Sequence, residues 1–377
     1  MPPDIALPDL RLEDLRPEVS RQPGASRQPG ASRQDEARAS LNRLWDRGAR
    51  FLGSRVAIMG GAMSWVSERN LVAAISNGGG FGVIACGSMN PGQLAAEIAA
   101  TQALTARPFG VNLITVHPQL DDLIRVCREA GVGHVVLAGG IPPGAAVRAV
   151  KDGGARLVCF APALVLARRL VRSGADALII EGSEAGGHIG PVSLTVLAQE
   201  ILPHVRDVPV FVAGGLGRGE AILGYLEMGA AGVQLGTRFA AAVESIAHPR
   251  FKAALIHARA RDALPTVQMD PRFPVLPVRG LVNAGTHRFL AHQADTLRRF
   301  ETGELTREAA QLAIEHFWGG ALRRAVIDGD VEEGSVMAGQ SVGMVLSEQP
   351  VAEIIAELTG QAVAALAARG VPTGSGF

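Results

Sequence analysis

A histidine on a glycine-rich loop is the strongest chemical feature of this 377-residue sequence. The run EGSEAGGHIG, at residues 181–190, follows an apolar strand-like segment and places His188 among glycines, which let backbone approach a ligand closely. Imidazole exchanges protons near neutral pH, so His188 is a candidate acid–base group. The less specific interpretation is a loop histidine bonded to backbone. Glu181 and Glu184 in the same run could orient the ring or adjust its pKa.

Two later strand-like runs also end in glycine-rich loops. Gly214 and Gly215 follow one of them, and Gly236 and Thr237 follow the other. Free backbone N–H groups in such loops suit a phosphate group, and Arg238 could add positive charge. Tight turns also need glycine, so the pattern favours phosphate binding without requiring it.

Small residues and one amide indicate a flat ligand at the other strands. The first strand-like run ends in small residues and Met63, against which a ring could lie. Asn112 stands within an otherwise apolar run, and a buried amide must be hydrogen-bonded. It could cap its strand end or read the donor–acceptor edge of a heterocycle. A ligand with a phosphate group at the seventh and eighth strands and a flat ring near the first and third would fit flavin mononucleotide, FMN.

Eight apolar runs of strand length alternate with helical segments and predict the fold. The runs are continuous rather than alternating, as expected for parallel strands covered on both faces; they lie at 55–59, 81–85, 109–113, 134–138, 156–160, 177–181, 209–213 and 231–235. Eight such units favour an α/β fold with a closed (β/α)8 TIM barrel, and an open doubly wound sheet is the alternative. In a barrel of this type function lies at the C-terminal ends of the strands.

The domain organisation follows from where this rhythm begins and ends. Residues 1–50 contain a hexapeptide repeat rich in Pro, Gly, Ser and Gln, and are predicted to be a flexible tail with a short helix at 35–48. Residues 51–238 and 321–377 form the predicted barrel. Residues 239–320 interrupt it as a small helical substrate or lid domain after the eighth strand.

Composition excludes several function classes. The formal net charge is zero and 4% of residues are aromatic, so we expect no nucleic-acid partner. No apolar run approaches the ~18 residues of a membrane span, so we expect no membrane partner. The three cysteines show no paired spacing, which favours reduced thiols in the cytoplasm. The histidines show no metal-ligand spacing.

Several motifs, in order, resemble the nitronate monooxygenase family, which includes the flavin-dependent enoyl-acyl-carrier-protein reductases of type II. They are IMGGAMSWVSE (58–68), ISNGGGFGVI (75–84), PFGVNL (108–113), EGSEAGGHIG (181–190), VAGGLGRG (212–219), GVQLGTRF (232–239) and GDVEEGSVMAGQSVG (329–343). The resemblance spans about residues 55–368. Two positions differ from the usual monooxygenase motifs, since Glu181 and Gly60 stand where glutamine is common.

The resemblance implies an FMN-bearing (β/α)8 barrel and assigns roles to individual residues. His188 matches the active-site histidine and would act as a base or orient the substrate. The implied cofactor-binding residues are Gly61, Ala62 and Met63 beside the isoalloxazine, Asn112 and Glu181 bonded to the flavin, and Gly186, Gly187, Gly214, Gly215, Gln234, Leu235, Gly236 and Thr237 around the ribityl phosphate.

The leading functional hypothesis is an FMN-dependent nitronate monooxygenase that oxidises alkyl nitronates with dioxygen. The alternatives are an NAD(P)H-dependent FMN reductase of enoyl thioesters or quinones, and a non-catalytic FMN-binding protein. The expected partners are a small-molecule substrate, NAD(P)H as a transient electron donor, and a second copy of the chain in a homodimer.

Overall fold

A computed structural model describes residues 32–87, 89–275, 277–318 and 320–369. Its centre is a sheet of eight parallel strands in the order β1-β9-β8-β6-β5-β4-β3-β2. The strands are β1 (Ile58–Gly60), β2 (Val83–Ala85), β3 (Gly110–Ile114), β4 (His134–Ala138), β5 (Arg156–Phe160), β6 (Ala177–Glu181), β8 (Val210–Ala213) and β9 (Gly232–Leu235). A parallel bridge between Met59 and Phe81 joins β1 to β2 and closes the barrel. The predicted (β/α)8 fold is confirmed.

Helices alternate with the strands and cover the outside of the barrel. They are α2 (Arg69–Asn77), α3 (Pro91–Leu104), α4 (Leu120–Glu129), α5 (Gly144–Asp152), α6 (Leu164–Arg172), α7 (Leu194–Ile201) and α8 (Gly219–Glu227). The strands are buried on both faces because these helices cover them outside and side chains fill the barrel inside. This double burial explains the continuous apolar runs in the sequence.

The last helix, α14 (Val351–Arg369), completes the outer ring. It packs between α8 and α2 and also contacts the N-terminal helix α1 (Arg33–Leu52). Its length and mean hydropathy of 1.4 would suffice for a membrane span. Its apolar side chains, including Ile354, Ile355 and Leu358, are instead buried in the main core. The helix is therefore a structural part of the barrel.

The prediction that residues 1–50 are a flexible tail is wrong for their C-terminal part. Helix α1 (Arg33–Leu52) begins at a capping box formed by Ser32 and Asp35 and buries Leu41 and Trp45 in the main core. The predicted helix at 35–48 lies within it. The hexapeptide repeat, apart from its last residues, lies outside the described residues. The amphipathic pattern of α1, and not its composition, determines that it packs.

The C-terminal end of α1 closes the bottom of the barrel. The carbonyl oxygen of Phe51 accepts a hydrogen bond from Nε2 of His134, at 2.8 Å, and another from the guanidinium of Arg156. Both donors stand at the start of their strands, so they neutralise an unpaired carbonyl of the helix end. The rings of Phe51 and Phe81 contact His134 edge-on.

The insertion after β9 is not purely helical, contrary to the prediction. It contains α10 (Pro249–His257), β10 (Ala263–Pro265), β11 (Val278–Leu281), α11 (Ala284–Glu301) and α12 (Arg307–His316), and follows the short α9 (Thr237–Ala240). Its two strands extend a separate three-stranded sheet, in the order β10-β11-β7, whose β7 (Gly187–His188) belongs to the loop after β6. A small core of its own, Phe273, Phe289, Ala310 and Ile314, holds its helices together. We call residues 239–320 the lid.

Candidate functional site

Backbone N–H groups without partners line the ends of β8 and β9. Gly214 and Gly215 adopt φ angles of +94° and +70°, which L side chains rarely adopt. In the described part of the chain, the N–H groups of Gly214, Gly215, Gly236 and Thr237 donate to no protein acceptor. Consecutive free N–H groups form a concave anion site. We call these four residues the anion cradle.

The anion cradle is built by close packing on the loop after β6. A Cβ atom on Gly214 would lie 3.0 Å from the carbonyl oxygen of Gly182, and one on Gly215 would lie 3.1 Å from Cβ of Glu184. The glycines are therefore required by their φ angles and by their neighbours as well as by any ligand. The structure brings together the loops after β6, β8 and β9 that the sequence placed at one rim.

Two polar side chains beside the cradle lack partners, the half-buried Glu181 and the buried Gln234. Glu181 and Gln234 flank Ala213 in one register row across β6, β8 and β9, and registered residues of parallel strands project to the same face. Gln234 is 8% exposed, yet neither its amide nor the carboxyl of Glu181 has a hydrogen bond among the described residues. Burial raises the pKa of Glu181 to about 8. Both side chains therefore keep donors and acceptors that a polar ligand could use.

The loop after β1, where the sequence predicts the flavin ring, lies against the end of β9. The N–H of Gly61 donates to the carbonyl oxygen of Leu235 at 2.8 Å, and Oγ of Ser67 donates to the carbonyl oxygen of Gly61 at 2.7 Å. The sulfur of Met63 lies 3.6 Å from where a Cβ of Gly236 would be. Leu235 itself buries its side chain in the core, so it can offer only backbone to a ligand. Ala62 is half-buried against the same core.

Asn112 has one free end. Its Nδ2 donates to the carbonyl oxygen of Val136 at 3.1 Å, across to β4. Its Oδ1 has no partner in the described part of the chain, although the residue is 5% exposed. The amide therefore braces the strand ends through Nδ2. That its Oδ1 binds a heterocycle stays a prediction.

His188 lies in β7, where it pairs with Val278 of the lid. The alternation of β10 and β11 places Leu264 and Val278 on the same face as His188, and Leu264 is 49% exposed. The imidazole is exposed and has no hydrogen bond among the described residues, while surrounding protein lowers its pKa by desolvation. That the ring faces a bound flavin remains a prediction. We call Leu264, Val278 and His188 the lid face.

In the described part of the chain neither acidic residue of the loop is hydrogen-bonded to the histidine, so the orienting role that the sequence left open is not seen. Oε2 of Glu184 accepts from the N–H of Leu194 at 2.9 Å, at the start of α7. Glu181 lies in the register row with Ala213 and Gln234. The position of His188 is instead fixed through the backbone of β7 and β11.

Arg279 is a structural residue that the sequence analysis missed. It is 7% exposed, and its Nε donates to the carbonyl oxygen of Ser183 at 2.9 Å while Nη1 donates to that of Ala263 at 2.5 Å. A buried guanidinium thus joins the lid to the loop that carries His188. Arg279 follows a proline-rich stretch, residues 265–277, and nothing in that sequence indicates a strand at Val278–Leu281.

Gly186 is required by a backbone contact. A Cβ atom there would lie 2.5 Å from the backbone nitrogen of Gly339. The N–H of Gly339 donates to Oγ1 of Thr237 at 3.0 Å, so the segment returning from the lid locks two rim loops together. Gly187, with φ +76°, lets the chain turn into β7. The motif at 329–343 was noted in the sequence, but no role was assigned to Gly339.

Arg238 is not available to a phosphate, contrary to the sequence interpretation. Its guanidinium donates to the carbonyl oxygen of Met344 at 2.8 Å, to Gln349 at 3.0 Å and to Glu357 at 2.7 Å. It is 5% exposed and fixes α14 to the barrel. Backbone alone must therefore supply most of the cradle's attraction for an anion.

The lip of the site pairs an aromatic side chain with a cation. Trp65, in the loop after β1, has φ +68° and is the one non-glycine residue of the described chain with a positive φ. The guanidinium of Arg323 lies 5.8 Å from its ring centroid.

Among the described residues, no cluster of three potential metal ligands is found. The three cysteines are buried and unpaired.

Comparisons with known proteins match this architecture. A family model described as "Nitronate monooxygenase" matches residues 49–130 and 119–361. The chain belongs to the nitronate monooxygenase family. It is 30% identical over 308 residues to the (3aS,4S,5R,7aS)-5-hydroxy-7a-methyl-1-oxo-octahydro-1H-indene-4-carboxyl-CoA dehydrogenase of Mycobacterium tuberculosis, covering 75% of this chain and 86% of that protein.

Two solved structures extend the comparison. FabK from Thermotoga maritima superposes with a TM-score of 0.76 at 35% identity, covering 85% of this chain and 96% of that one. The nitroalkane oxidase from Streptomyces ansochromogenes gives a TM-score of 0.70 at 28% identity, covering 84% and 98%. The chain is thus similar to family members with different names, and membership identifies it as an oxidoreductase without fixing its substrate.

Proposed function

We propose that the protein is an FMN-dependent oxidoreductase that acts on acyl thioesters. The observation that carries the cofactor is the continuity of the anion cradle with unpartnered polar side chains. Four free N–H groups suit the phosphate, and Gln234, Glu181 and Oδ1 of Asn112 offer donors and acceptors to a heterocycle. Bound FMN would supply a two-electron acceptor or donor.

The lid face supports a thioester over a small anion as substrate. Leu264 and Val278 stand beside His188 and present apolar surface to solvent, which an acyl chain or ring system could cover. A relative with 30% identity is named as a carboxyl-CoA dehydrogenase, which is the same substrate class. A nitronate of a small alkane would leave most of this surface uncovered.

His188 has the properties of a proton acceptor for this chemistry. Oxidation of a saturated thioester removes a hydride from one carbon and a proton from its neighbour. Desolvation lowers the pKa of His188, so the imidazole is neutral near pH 7 and holds a free lone pair. In the reductive direction the same nitrogen would return the proton. Arg279 keeps the histidine's loop against the lid.

Nitronate oxidation is the second candidate. The match to the nitronate monooxygenase family model and the likeness to a nitroalkane oxidase favour it. A nitronate is already an anion, so His188 would position it rather than remove a proton. NAD(P)H is the proposed electron donor for the reductive direction of the thioester candidate, since reduction of an enoyl thioester consumes two electrons. A homodimer remains a proposal that neither candidate requires.

Anaerobic mixing of the yellow protein with each reactant distinguishes the two candidates. A saturated bicyclic acyl-CoA, propyl nitronate, NADH and NADPH are added separately, and flavin absorbance near 450 nm is followed in a stopped-flow instrument. We expect the acyl-CoA to bleach the flavin, or an enoyl-CoA to reoxidise flavin that NAD(P)H has reduced. Rapid bleaching by propyl nitronate with no response to either thioester would reject the thioester proposal in favour of the second candidate.

A further inference from the structure

Trp65 holds a costly backbone conformation. It lies in the loop after β1, two residues beyond Met63, and its φ is +68°. The left-handed region is unfavourable for a bulky L residue, whereas Gly and Asn adopt it with less strain. The presence of tryptophan here therefore costs stability that other interactions must offset.

Hydrogen bonds within the loop hold this conformation in place. The carbonyl oxygen of Met63 accepts from the N–H of Val66 at 3.0 Å and from that of Ser67 at 2.8 Å. Oγ of Ser67 in turn accepts from the N–H of Met63 at 3.0 Å and donates to the carbonyl oxygen of Gly61 at 2.7 Å. The turn is closed on itself, so the direction in which the side chain of Trp65 leaves the backbone is fixed.

The indole is also held, yet it is not buried. The guanidinium of Arg323, in the segment that returns from the lid, lies 5.8 Å from the ring centroid, where a cation and an aromatic ring attract each other. Nη1 of Arg323 donates to Oδ2 of Asp328 at 2.9 Å, which fixes the guanidinium. Trp65 is nevertheless 44% exposed and belongs to neither hydrophobic core of the described residues. A large aromatic surface is thus oriented without being used by the core.

The returning segment spans the barrel mouth from the loop of Trp65 to the loop of His188. Arg323 contacts the indole near one end of this segment. Near the other end, the sulfur of Met337 lies 3.5 Å from where a Cβ of Gly187, the neighbour of His188, would be. Loops that follow parallel barrel strands share one rim. A substrate that reaches the imidazole from this rim is therefore bounded by the lid face on one side and by the loop of Trp65 on another.

We propose that Trp65 determines specificity by packing its indole against the acyl group of the thioester. The inference rests on the proposed function, because it names what the acyl group meets besides the lid face. An indole offers a large, flat, apolar surface that loses little conformational freedom on binding. Backbone strain is retained where a residue serves a ligand rather than the fold. Contact with the indole favours long or cyclic acyl groups over short ones, since they cover more of it.

The test compares acyl groups of two sizes. NAD(P)H-driven reduction of 2-octenoyl-CoA and of crotonyl-CoA is measured for the wild type, Trp65→Asn and Trp65→Phe. We expect the octenoyl-to-crotonyl ratio of kcat/KM to fall about tenfold or more in Trp65→Asn, mainly through the KM for octenoyl-CoA. Trp65→Phe keeps an aromatic ring, so its ratio should fall by less than about threefold. An unchanged ratio in Trp65→Asn would overturn the proposal.

Leu104→Ala is the matched control for loss of an exposed apolar side chain. Leu104 is 47% exposed and ends α3, at the opposite end of the barrel from the mouth. This variant should keep the ratio of the wild type. A ratio that falls as far in Leu104→Ala as in Trp65→Asn would also overturn the proposal, because the effect would not depend on the site.

Melting temperature and binding separate a specificity role from a structural one. Asn tolerates the left-handed conformation, so Trp65→Asn should melt at or above the temperature of the wild type. Isothermal titration with octanoyl-CoA and acetyl-CoA should show that the variant loses affinity for the longer ligand selectively. A variant that melts lower and binds both ligands equally weakly would assign Trp65 to the fold and overturn the proposal.

The proposal and the thioester assignment fail in different ways. A wild type that neither binds nor reduces any thioester would reject the thioester assignment. Short- and long-chain alkyl nitronates then replace the two thioesters in the same comparison. A chain-length preference that Trp65→Asn loses would support Trp65 as the wall for the apolar part of the substrate, and a preference that the variant keeps would overturn it.

Discussion

His188 and Val278 are paired across an antiparallel ladder, although they are far apart in the chain and belong to the barrel loop and the lid respectively. The histidine is therefore held by the backbone of the element that would cover the substrate. Any movement of β11 must move the imidazole. If His188 acts as proposed, the lid would help to position it as well as cover the substrate.

Replacing the histidine should impair turnover and leave the cofactor in place. We expect His188→Ala to keep the flavin spectrum and to lose on the order of 10²-fold in kcat with a thioester. With a nitronate the loss should be smaller and appear partly in KM. Because desolvation lowers the pKa of His188, the acid limb of kcat/KM should lie below pH 6.5, and the variant should lack it. His257→Ala, on α10, is the control. Unchanged steady-state kinetics would exclude His188 from the reaction.

The anion cradle should tolerate no carboxylate. Gly215→Asp should abolish FMN retention, because a negative side chain would meet the phosphate where N–H groups are needed. Gly229→Ala is a matched control: its φ is +104°, and a Cβ there meets nothing within 4 Å. That variant should lose stability through backbone strain alone and keep its flavin. Flavin content per folded chain, measured after gel filtration, compares the two variants. Flavin retained by Gly215→Asp would show that the phosphate binds elsewhere.

The buried Arg279 should fix the lid to the loop before β7. Replacing it with Met leaves the carbonyl oxygens of Ser183 and Ala263 without their donor, at a cost of about 1–3 kcal/mol each where they stay buried. We expect faster limited proteolysis within 258–283 and a lower kcat/KM, with the barrel still folded. Arg261→Met, at an exposed position in the same segment, should behave as the wild type. Equal cleavage rates in both variants would show that Arg279 does not hold the lid.

The N-terminal helix should be essential, whereas the repeat before it should be dispensable. Deletion of residues 1–31 keeps the capping box of Ser32 and Asp35 and should leave the melting temperature and flavin content unchanged. Trp45→Ala should cost about 3–5 kcal/mol, because the side chain is 1% exposed in the main core. Denaturant unfolding monitors both. A melting temperature lowered by the deletion would mean that residues 1–31 contribute to the fold.

Acid should weaken the bottom of the barrel through His134. Burial lowers the pKa of His134 in the folded protein, so below about pH 6.5 the unfolded chain binds more protons than the folded one. The stability contribution is therefore complete above that pH and declines as pH falls. Between pH 7.5 and 5.5, the wild type should lose more thermal stability than His134→Gln, which keeps a donor for Phe51. Parallel losses in both proteins would assign the acid sensitivity to other groups.

The barrel could be predicted from the sequence because each strand is buried on both faces and therefore reads as a continuous apolar run. The lid strands could not, since β10 and β11 are three and four residues long and contain Pro265 and the buried Arg279. Sequence periodicity shows no sign of a ladder between His188 and Val278, which depends on long-range pairing. Helix α1 was underestimated because the repeat preceding it dominates the local composition.

The rim was predictable in outline, and its electrostatics were not. Glycines after apolar runs located the anion cradle, yet the guanidinium of Arg238 turns away from it toward Glu357. That direction depends on α14, more than a hundred residues later in the chain. The free carboxyl of Glu181 likewise becomes visible only when its neighbours in β5, β8 and β9 are known.

The most direct test of the account is the identity and stoichiometry of the flavin. Protein purified without added cofactor, or reconstituted with FMN and gel-filtered, should be denatured and its released chromophore resolved by chromatography and absorbance. The account predicts non-covalent FMN, close to one per chain in the reconstituted wild type and absent from Gly215→Asp. A reconstituted wild type that stays colourless would contradict the central claim. So would a correctly folded Gly215→Asp that retains as much FMN as the wild type.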